Sequence, residues 1–212
     1  MINGDVSIGG AVKTRVIRAE KAPVSWRVRN ALRYGFVKGF IAYWLARVFS
    51  KVMEVPTITS RLMIRVRRAD GQWIDYGTVN WGRVVTDAGV AFLVDDWDNN
   101  AQDLTTLNYH GCGTGGTAEA ASQTALVTES TTALNPDSTR ATGTRSQPSA
   151  NIYQSVGTLT FDGSAAVTEH GIFSQAATGG GTMWDRSLFS AINVASGDSI
   201  QFTYQATINS GG

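Results

Sequence analysis

The pattern of apolar and polar positions changes its period near residue 61. Beyond this point apolar and basic side chains alternate, which is typical of a β-strand with one buried face. The dipeptide Asp70-Gly71 is typical of a tight type I′ turn. A second alternating stretch follows it. We therefore predict a β-hairpin in which residues 61–69 pair with residues 72–80.

Residues 24–53 carry the pattern of a helix. Ser25 is a suitable N-cap, and Pro56 stops the helix downstream. The stretch 34–46 is nearly all apolar, but it is shorter than the ~20 residues that cross a bilayer. We favour a helix buried against its own body or a sister subunit. The alternatives are a basic helix on a membrane surface and a membrane-spanning helix, and we do not expect a membrane partner. Residues 1–23 are predicted to form an extended arm.

The chain beyond the hairpin is predicted to contain one short helix followed by strands. Thr86 is a suitable cap for a helix over residues 86–97. Residues 113–136 are rich in Thr, Ala, Ser and Gly, which predicts a long surface loop. Turn residues separate six predicted strands, at 104–110, 139–147, 152–161, 165–173, 183–192 and 199–208.

These elements predict a mainly β protein with an N-terminal extended arm and helix. Residues 1–56 form the basic arm and helix, which we interpret as an anchor. Residues 57–212 form the β-rich body, with the sheets mainly in residues 104–212. Several short strands with regular turns favour an antiparallel β-sandwich, of jelly-roll or immunoglobulin-like type.

Charge also divides the chain. The whole chain has 18 basic and 17 acidic residues, but the first 83 residues hold 15 basic and 5 acidic side chains. The remaining 129 residues hold 3 basic and 12 acidic side chains. This asymmetry favours a basic segment that docks on an acidic partner and an acidic body that faces solvent. The alternative is that the two halves pair with each other, within one chain or between subunits.

The basic residues of the N-terminal segment are the main functional signal. We favour a protein partner with an acidic surface. Nucleic acid is an alternative, because such residues can neutralise phosphates. A second basic group follows in the hairpin and consists of Arg65, Arg67 and Arg68. The candidate partner-binding residues, which include two interleaved aromatic side chains, are Arg15, Arg18, Lys21, Trp26, Arg27, Arg29, Arg33 and Tyr34.

Few side chains are suited to catalysis or metal binding. One cysteine and two histidines exclude a disulfide framework and a Cys-rich zinc fold. His110 and Cys112 could pair as base and nucleophile, but we favour a buried thiol beside a structural histidine. The sequence Asp96-x-Asp98-x-Asn100 opens like a calcium loop, but the turn glycine and the closing glutamate are missing. We favour a solvated acidic turn, and a non-standard calcium site with Asp95, Asp96, Asp98 or Asp103 is the alternative. We expect no enzyme activity, no cofactor and no metal site.

Two further features are more easily explained by structure than by chemistry. The pairs Glu169-His170 and Asp185-Arg186 interrupt otherwise apolar strands. A buried acid–base pair is conceivable, but we expect these residues to tie strands together or to contact another subunit. The glycine-rich stretch 111–116 resembles a phosphate loop only superficially, since no Gly-Lys-Ser/Thr sequence follows. We interpret it as a flexible turn.

Six short stretches stand out in the C-terminal part. They are VVTDAGV at 84–90, YHGCGTG at 109–115, ALVTE at 125–129, RATG at 140–143, TEHGIF at 168–173 and GDSIQFTY at 197–204. In this order they resemble a family of small tailed-phage virion proteins. The resemblance covers about residues 83–212 and leaves out the basic N-terminal helix. It implies a β-rich virion component, with no catalytic residues to carry over.

The resemblance and the charge pattern predict a structural protein located in a virion. The favoured role is a capsid decoration (cement) protein, which the basic N-terminal segment attaches to the major capsid protein or other virion proteins. A tail or neck component, such as an adaptor or fibre base, is an alternative. So is a host-surface glycan-binding module that uses Trp97, Tyr153 and Trp184. A homo-oligomer, of which a trimer is one candidate, would bury the apolar helix. The first residues lack a secretory signal pattern.

Overall fold

The computed structural model describes residues 19–34, 45, 48, 56–79, 83–99 and 102–210. The predicted arm, up to residue 18, lies outside the described residues. So does the predicted helix beyond Tyr34, apart from Leu45 and Val48, which are helical. In chain order the elements are β1 (Glu20–Lys21), α1 (Val24–Tyr34), β2 (Thr57–Arg67), β3 (Trp73–Val79), β4 (Arg83–Val85), α2 (Asp87–Asn99), a 3-10 turn (Leu104–Thr106), β5 (Tyr109–Gly113), β6 (Leu134–Asn135), β7 (Ala141–Thr142), β8 (Thr144–Ser149), β9 (Ile152–Phe161), β10 (Ala165–Phe173), β11 (Met183–Val194) and β12 (Ser199–Asn209).

The strands form two sheets. In the large sheet the order is β1-β3-β2-β12-β9-β6, and β8 also pairs with β9. In the small sheet the order is β4-β11-β10-β5-β7. The described pairs are antiparallel except β1 with β3, which run parallel. The predicted mainly β class is confirmed, and the two sheets are compatible with a β-sandwich.

A hydrophobic core lies between the two sheets. Ile64 and Phe202 of the large sheet and Ile172 and Phe189 of the small sheet are fully buried in it. Side chains alternate along a strand, so the other face of β2 carries the arginines, as the sequence pattern predicts. Consecutive strands contribute to opposite halves of the core, since β11 belongs to the small sheet and β12 to the large sheet.

The predicted hairpin forms from β2 and β3, but its turn is of another type. The N–H of Gly71 donates to the carbonyl of Arg68 at 2.8 Å, and the N–H of Arg68 donates to the carbonyl of Gln72 at 2.8 Å. Gly71 has a φ of +86°, whereas φ at Asp70 is not positive. A type I′ turn needs positive φ at both central residues. The predicted turn type is therefore wrong, and the geometry is that of a type I turn followed by a left-handed glycine.

Some of the strands predicted after residue 104 have the expected bounds, and others do not. β9 and β10 have the predicted bounds, and β11 and β12 extend slightly further. The predicted strand 104–110 is wrong at its start, because the Asp103 carboxylate accepts the N–H of Thr105 at 2.8 Å and caps a 3-10 turn. The predicted strand 139–147 divides into β7, in the small sheet, and β8, in the large sheet. The chain thus crosses between the sheets at Gly143.

α1 and α2 begin in different ways. α2 starts after Thr86 as predicted, because the Thr86 hydroxyl accepts the N–H of Gly89 at 2.9 Å. α1 starts directly after Pro23, whose carbonyl accepts the N–H of Trp26 at 3.0 Å. Ser25 lies inside the first turn, so the predicted N-cap is wrong. Within the described ranges, no helix is long and apolar enough to cross a bilayer.

Candidate partner-binding surface

Trp26 fixes α1 to the body. Its indole N–H donates to the carbonyl of Ser190 at 2.7 Å, and its ring meets Tyr76 edge-on, with centroids 4.9 Å apart. The Asn30 side-chain oxygen accepts the N–H of Ser190 at 3.0 Å. β4 pairs with β11 only at residues 185–187, so α1 covers the edge of β11 beyond the end of β4. The helix therefore protects an otherwise free strand edge.

The opposite side of α1 faces solvent. Val24 and Val28 lie one turn apart on it, and Val24 is 71% exposed. Arg27 and Arg29 are exposed on opposite flanks of this row, and Arg29 Nε donates to the carbonyl of Ser25 at 3.3 Å. Neither arginine forms an ion pair with another described residue. Because Trp26 holds the helix, these four side chains form a surface with a fixed orientation, which we call the basic face of α1.

The eight predicted partner-binding residues fall into three groups. Lys21, Arg27 and Arg29 are exposed, and the Lys21 ammonium lies 3.1 Å from the Asp75 carboxylate. Trp26 is buried against its own body, so the prediction that it faces a partner is wrong for its side chain. The remaining residues lie outside the described structure, either wholly or in their side chains, and they are Arg15, Arg18, Arg33 and Tyr34.

The second basic group does not form a continuous cationic surface. Arg68 pairs with Asp198 at 2.7 Å. The Arg65 guanidinium lies 4.8 Å from the centre of the Trp73 ring. Arg67 is exposed and has no ion-pair partner within the described ranges. Two of the three arginines are thus engaged inside the molecule, which leaves the basic face of α1 as the better candidate.

His110 and Cys112 point from β5 into the core. His110 Nδ1 lies 3.0 Å from Nε2 of His170, and His110 Nε2 lies 2.9 Å from the Ser155 hydroxyl. All four side chains are fully buried. Burial raises the pKa of the Cys112 thiol to about 12 and lowers the pKa of His110 to about 3. Both groups are therefore neutral at pH 7, and the predicted burial of the thiol and the histidine is confirmed.

The two buried histidines should make the free energy of unfolding depend on pH. Burial, then His110 and Arg83, hold the pKa of His170 well below its ordinary value of 6.5. In the unfolded chain both imidazoles bind protons below about pH 6.5. Since the unfolded state then binds more protons, we expect the free energy of unfolding to fall with decreasing pH. The expected slope is about 1.4 kcal/mol per pH unit for each histidine.

Urea unfolding between about pH 7 and about pH 5 checks this slope, because only histidines titrate in that window. Burial alone would raise the pKa values of Asp75 and Asp198, but hydrogen bonds, from Lys21 and Ala195 foremost, bring both below 3.8. These carboxylates therefore stop contributing to the free energy of unfolding only below this window of pH, where they become protonated. An unfolding midpoint that stays constant across the window would contradict the prediction.

A buried ion pair lies on the outer side of the small sheet. Glu169 and Arg186 are fully buried, and Arg186 Nη2 lies 2.7 Å from Glu169 Oε2. Arg186 also donates to the side chain of Gln123 at 2.9 Å. The loop 113–136 is a surface loop, as the sequence predicts, and it is held to the sheet at this point. The Glu169 carboxylate accepts hydrogen bonds from three backbone N–H groups of this loop, at 3.0 Å from Gly115, 3.1 Å from Val127 and 2.9 Å from Thr128.

A second ion pair fixes the far end of the same loop. Arg140 donates through Nε and Nη2 to the Glu129 carboxylate, at 2.6 and 3.0 Å. Its Nη1 donates to the carbonyls of Gln175 and Gly180, and its guanidinium lies 3.4 Å from the centre of the Phe173 ring. The guanidinium is thus fully enclosed. The loop is therefore attached to the sheet at both ends by charged groups.

The glycine-rich stretch 111–116 is not the flexible turn that we predict from sequence. Its first three residues belong to β5. A Cβ atom on Gly113 would clash with the carbonyl oxygen of Thr128, so the loop approaches this strand only because the residue is glycine. Four of the six stretches that carry the resemblance meet here, and they are 109–115, 125–129, 140–143 and 168–173.

Asp185 belongs to a third buried network, between the sheets. Its carboxylate accepts hydrogen bonds from Ser60 at 2.8 Å, from Ser187 at 3.0 Å and from Arg83 at 3.2 Å. The pairs Glu169-His170 and Asp185-Arg186 thus send one side chain to each face of the small sheet. The interpretation that they tie strands together is confirmed.

The remaining candidates are the calcium ligands and the glycan-binding aromatic side chains considered from the sequence. Among the described residues, no group of three or more His, Cys, Asp or Glu side chains could hold a metal ion, and Asn100 lies outside them. Trp97 is 76% exposed. Trp184 is buried and donates to the Tyr204 hydroxyl at 2.7 Å, and Tyr153 is half-buried. The expectation that Trp184 and Tyr153 are exposed to a glycan is therefore wrong.

No protein-family model matches the chain, and no curated protein and no solved structure matches it either. The resemblance to tailed-phage virion proteins therefore rests on the six stretches. The candidate site is defined by its geometry, which is a basic and apolar helix face held in place on a β-rich body.

Proposed function

We propose that the chain is a structural component of a tailed-phage particle, specifically a capsid decoration (cement) protein. Its basic N-terminal segment binds an acidic surface on other virion proteins. The observation that carries this proposal is the basic face of α1, which is exposed but held rigidly to the body by Trp26. Position in the tail or neck is the closest alternative within the same proposal.

The composition of the basic face favours protein over nucleic acid as the partner. Arg27 and Arg29 are exposed without an ion-pair partner among the described residues, so they are available for carboxylates. Val24 and Val28 lie on the same face and match an apolar surface, which a phosphate backbone does not offer. Protein interfaces combine arginine with an apolar centre in this way.

The body is suited to a structural role because its buried charged side chains are paired with each other. The ion pairs Glu169–Arg186 and Glu129–Arg140 fix the long loop on the small sheet. We take the body to be a β-sandwich of jelly-roll or immunoglobulin-like type that faces solvent in the particle. An acidic exterior keeps such a protein soluble at high local concentration.

The expected result of reversing the charge of the basic face is loss of the chain from particles. The double variant R27E/R29E is expressed in place of the wild type from the phage or prophage genome that carries the coding sequence. Purified particles are then assayed for the chain by quantitative mass spectrometry. We expect a reduction of about tenfold or more, because two attractive contacts become repulsive.

The matched control is R67E/R145E, which makes the same change of net charge at two exposed arginines of the large sheet. This control is expected to enter particles at the wild-type level. Deletion of residues 1–53 is a poorer test, because it removes Trp26 from the core. Normal incorporation of R27E/R29E would contradict the proposal, provided that circular dichroism shows the variant to be folded.

A further inference from the structure

Two nitrogen atoms buried between the sheets have no hydrogen-bond partner among the described residues. They are Nδ1 of His170 and Nη1 of Arg83. His170 is fully buried, and only 4% of the Arg83 side chain is exposed. Buried polar groups in proteins are nearly always hydrogen-bonded, and bound water accounts for many that have no partner in the chain. Both atoms therefore indicate a site for a small hydrogen-bonding molecule.

The two side chains belong to one row across the small sheet. Arg83 of β4 is opposite Ser187 of β11, and Ser187 is opposite His170 of β10. Residues opposite each other on neighbouring strands share a face of the sheet, and this row faces the large sheet. The Arg83 guanidinium lies 5.3 Å from the centre of the Tyr204 ring. The His170 ring is centred 4.4 Å from that of Phe202. Besides burial and the neighbouring histidine, Arg83 lowers the pKa of His170, so the two groups are close.

The other nitrogen atoms of both side chains are already hydrogen-bonded. Arg83 Nε donates to the Ser187 hydroxyl at 2.9 Å, and Nη2 donates to the Asp185 carboxylate at 3.2 Å. His170 Nε2 lies 3.0 Å from Nδ1 of His110, which belongs to β5. The two nitrogen atoms of an imidazole ring point in widely different directions, and β10 lies between β5 and β11. Nδ1 of His170 is therefore directed away from β5, towards the side of the sheet that carries Arg83.

Water suits this site better than an anion does. Asp185 lies 3.2 Å from Arg83 and balances its charge, so the site has no net charge that would attract an anion. An arginine nitrogen always donates, whereas Nδ1 of a neutral imidazole donates in one tautomer and accepts in the other. A water molecule accepts from Arg83 and satisfies either tautomer of His170. A halide ion can only accept.

We propose that one buried water molecule bridges Nη1 of Arg83 and Nδ1 of His170 between the two sheets. This inference is independent of the proposed function. The water joins the histidine pair to the network around Asp185. One hydrogen-bonded chain then runs from Ser155 of β9, through the small sheet, to Ser60 of β2. The two sheets are thus linked by a continuous polar network as well as by apolar packing.

A high-resolution crystal structure of the full chain, from crystals soaked in sodium bromide, tests the site directly. We expect a density peak within hydrogen-bond distance of both nitrogen atoms, without the anomalous signal of bromide. An anomalous peak at this position would overturn the inference, because the site would then hold an anion. Absence of a peak would also overturn it, and so would a group of the chain itself that hydrogen-bonds to either atom.

A variant with one partner removed tests the bridge. H170F keeps an aromatic ring in the core but has no nitrogen atom, so the peak should be absent from its crystals. The matched control is S60A, which removes a hydrogen bond to Asp185 and leaves both proposed partners in place. Its peak should remain. A peak that persists unchanged in H170F would overturn the bridge. If H170F does not fold, the crystals of the wild type still decide the question.

Discussion

Replacing Glu169 by Gln is expected to lower the free energy of unfolding by about 3–5 kcal/mol, because it leaves Arg186 buried without its counter-charge. Both side chains are fully buried, and Arg186 Nη2 lies 2.7 Å from the carboxylate. The neutral amide also accepts the three loop N–H groups less strongly than a carboxylate does. The loop 113–136 should therefore loosen together with the ion pair.

Urea unfolding measures the loss of stability, and hydrogen exchange measures the loop. Exchange at Gly115, Val127 and Thr128 should become faster, since their N–H groups donate to Glu169. The matched control is E119Q, on the same loop, because Glu119 forms no ion pair in the described part of the chain. It should change stability by less than about 0.5 kcal/mol. Equal stability of E169Q and E119Q would contradict the account.

Replacing Trp26 by Ala is expected to cost about 3–5 kcal/mol and to detach α1 from the body. The variant loses the ring contact with Tyr76 and the hydrogen bond to Ser190. The edge of β11 is then uncovered, which favours aggregation. The basic face of α1 also loses its fixed orientation, so binding to particles should weaken even though Arg27 and Arg29 remain.

Limited trypsin digestion reports on the attachment of α1. Cleavage after Arg27 and Arg29 should be slow in the wild type and fast in W26A. W26F keeps the ring but loses the N–H donor, so it should cost only about 1 kcal/mol. V28A, on the exposed side of the same helix, should leave stability and digestion unchanged. Slow digestion of W26A at the wild-type rate would show that other contacts hold α1.

The sequence pattern identifies the long strands because their periodicity is local. β9 and β10 are predicted with correct bounds, and the alternation in β2 correctly assigns its buried face. The strands β1, β4 and β6 are only two or three residues long. Such strands are too short to show an alternation of apolar and polar residues. They form because a neighbouring strand offers free hydrogen-bonding groups. They could not be predicted from local pattern.

Contacts between distant parts of the chain explain the other errors. Trp26 lies among basic residues in sequence, but its partner Ser190 is 164 positions away. The loop 113–136 is correctly predicted as a surface loop, but its attachment is not, because Glu169 lies more than forty positions further on from Val127 and Thr128. Charged residues inside apolar strands were the available signal, and they correctly indicated ties between strands. Which segments they tie could not be read from their spacing.

We propose that the chain is held on a virus particle by ionic contacts of its basic segment. The most direct measurement is the copy number of the chain in purified particles of the phage or prophage that encodes it, after washes at low and at high ionic strength. We expect many copies per particle at low ionic strength and far fewer after the high-salt wash, because salt screens exposed charges. Particles that contain no copies at either ionic strength would contradict the account.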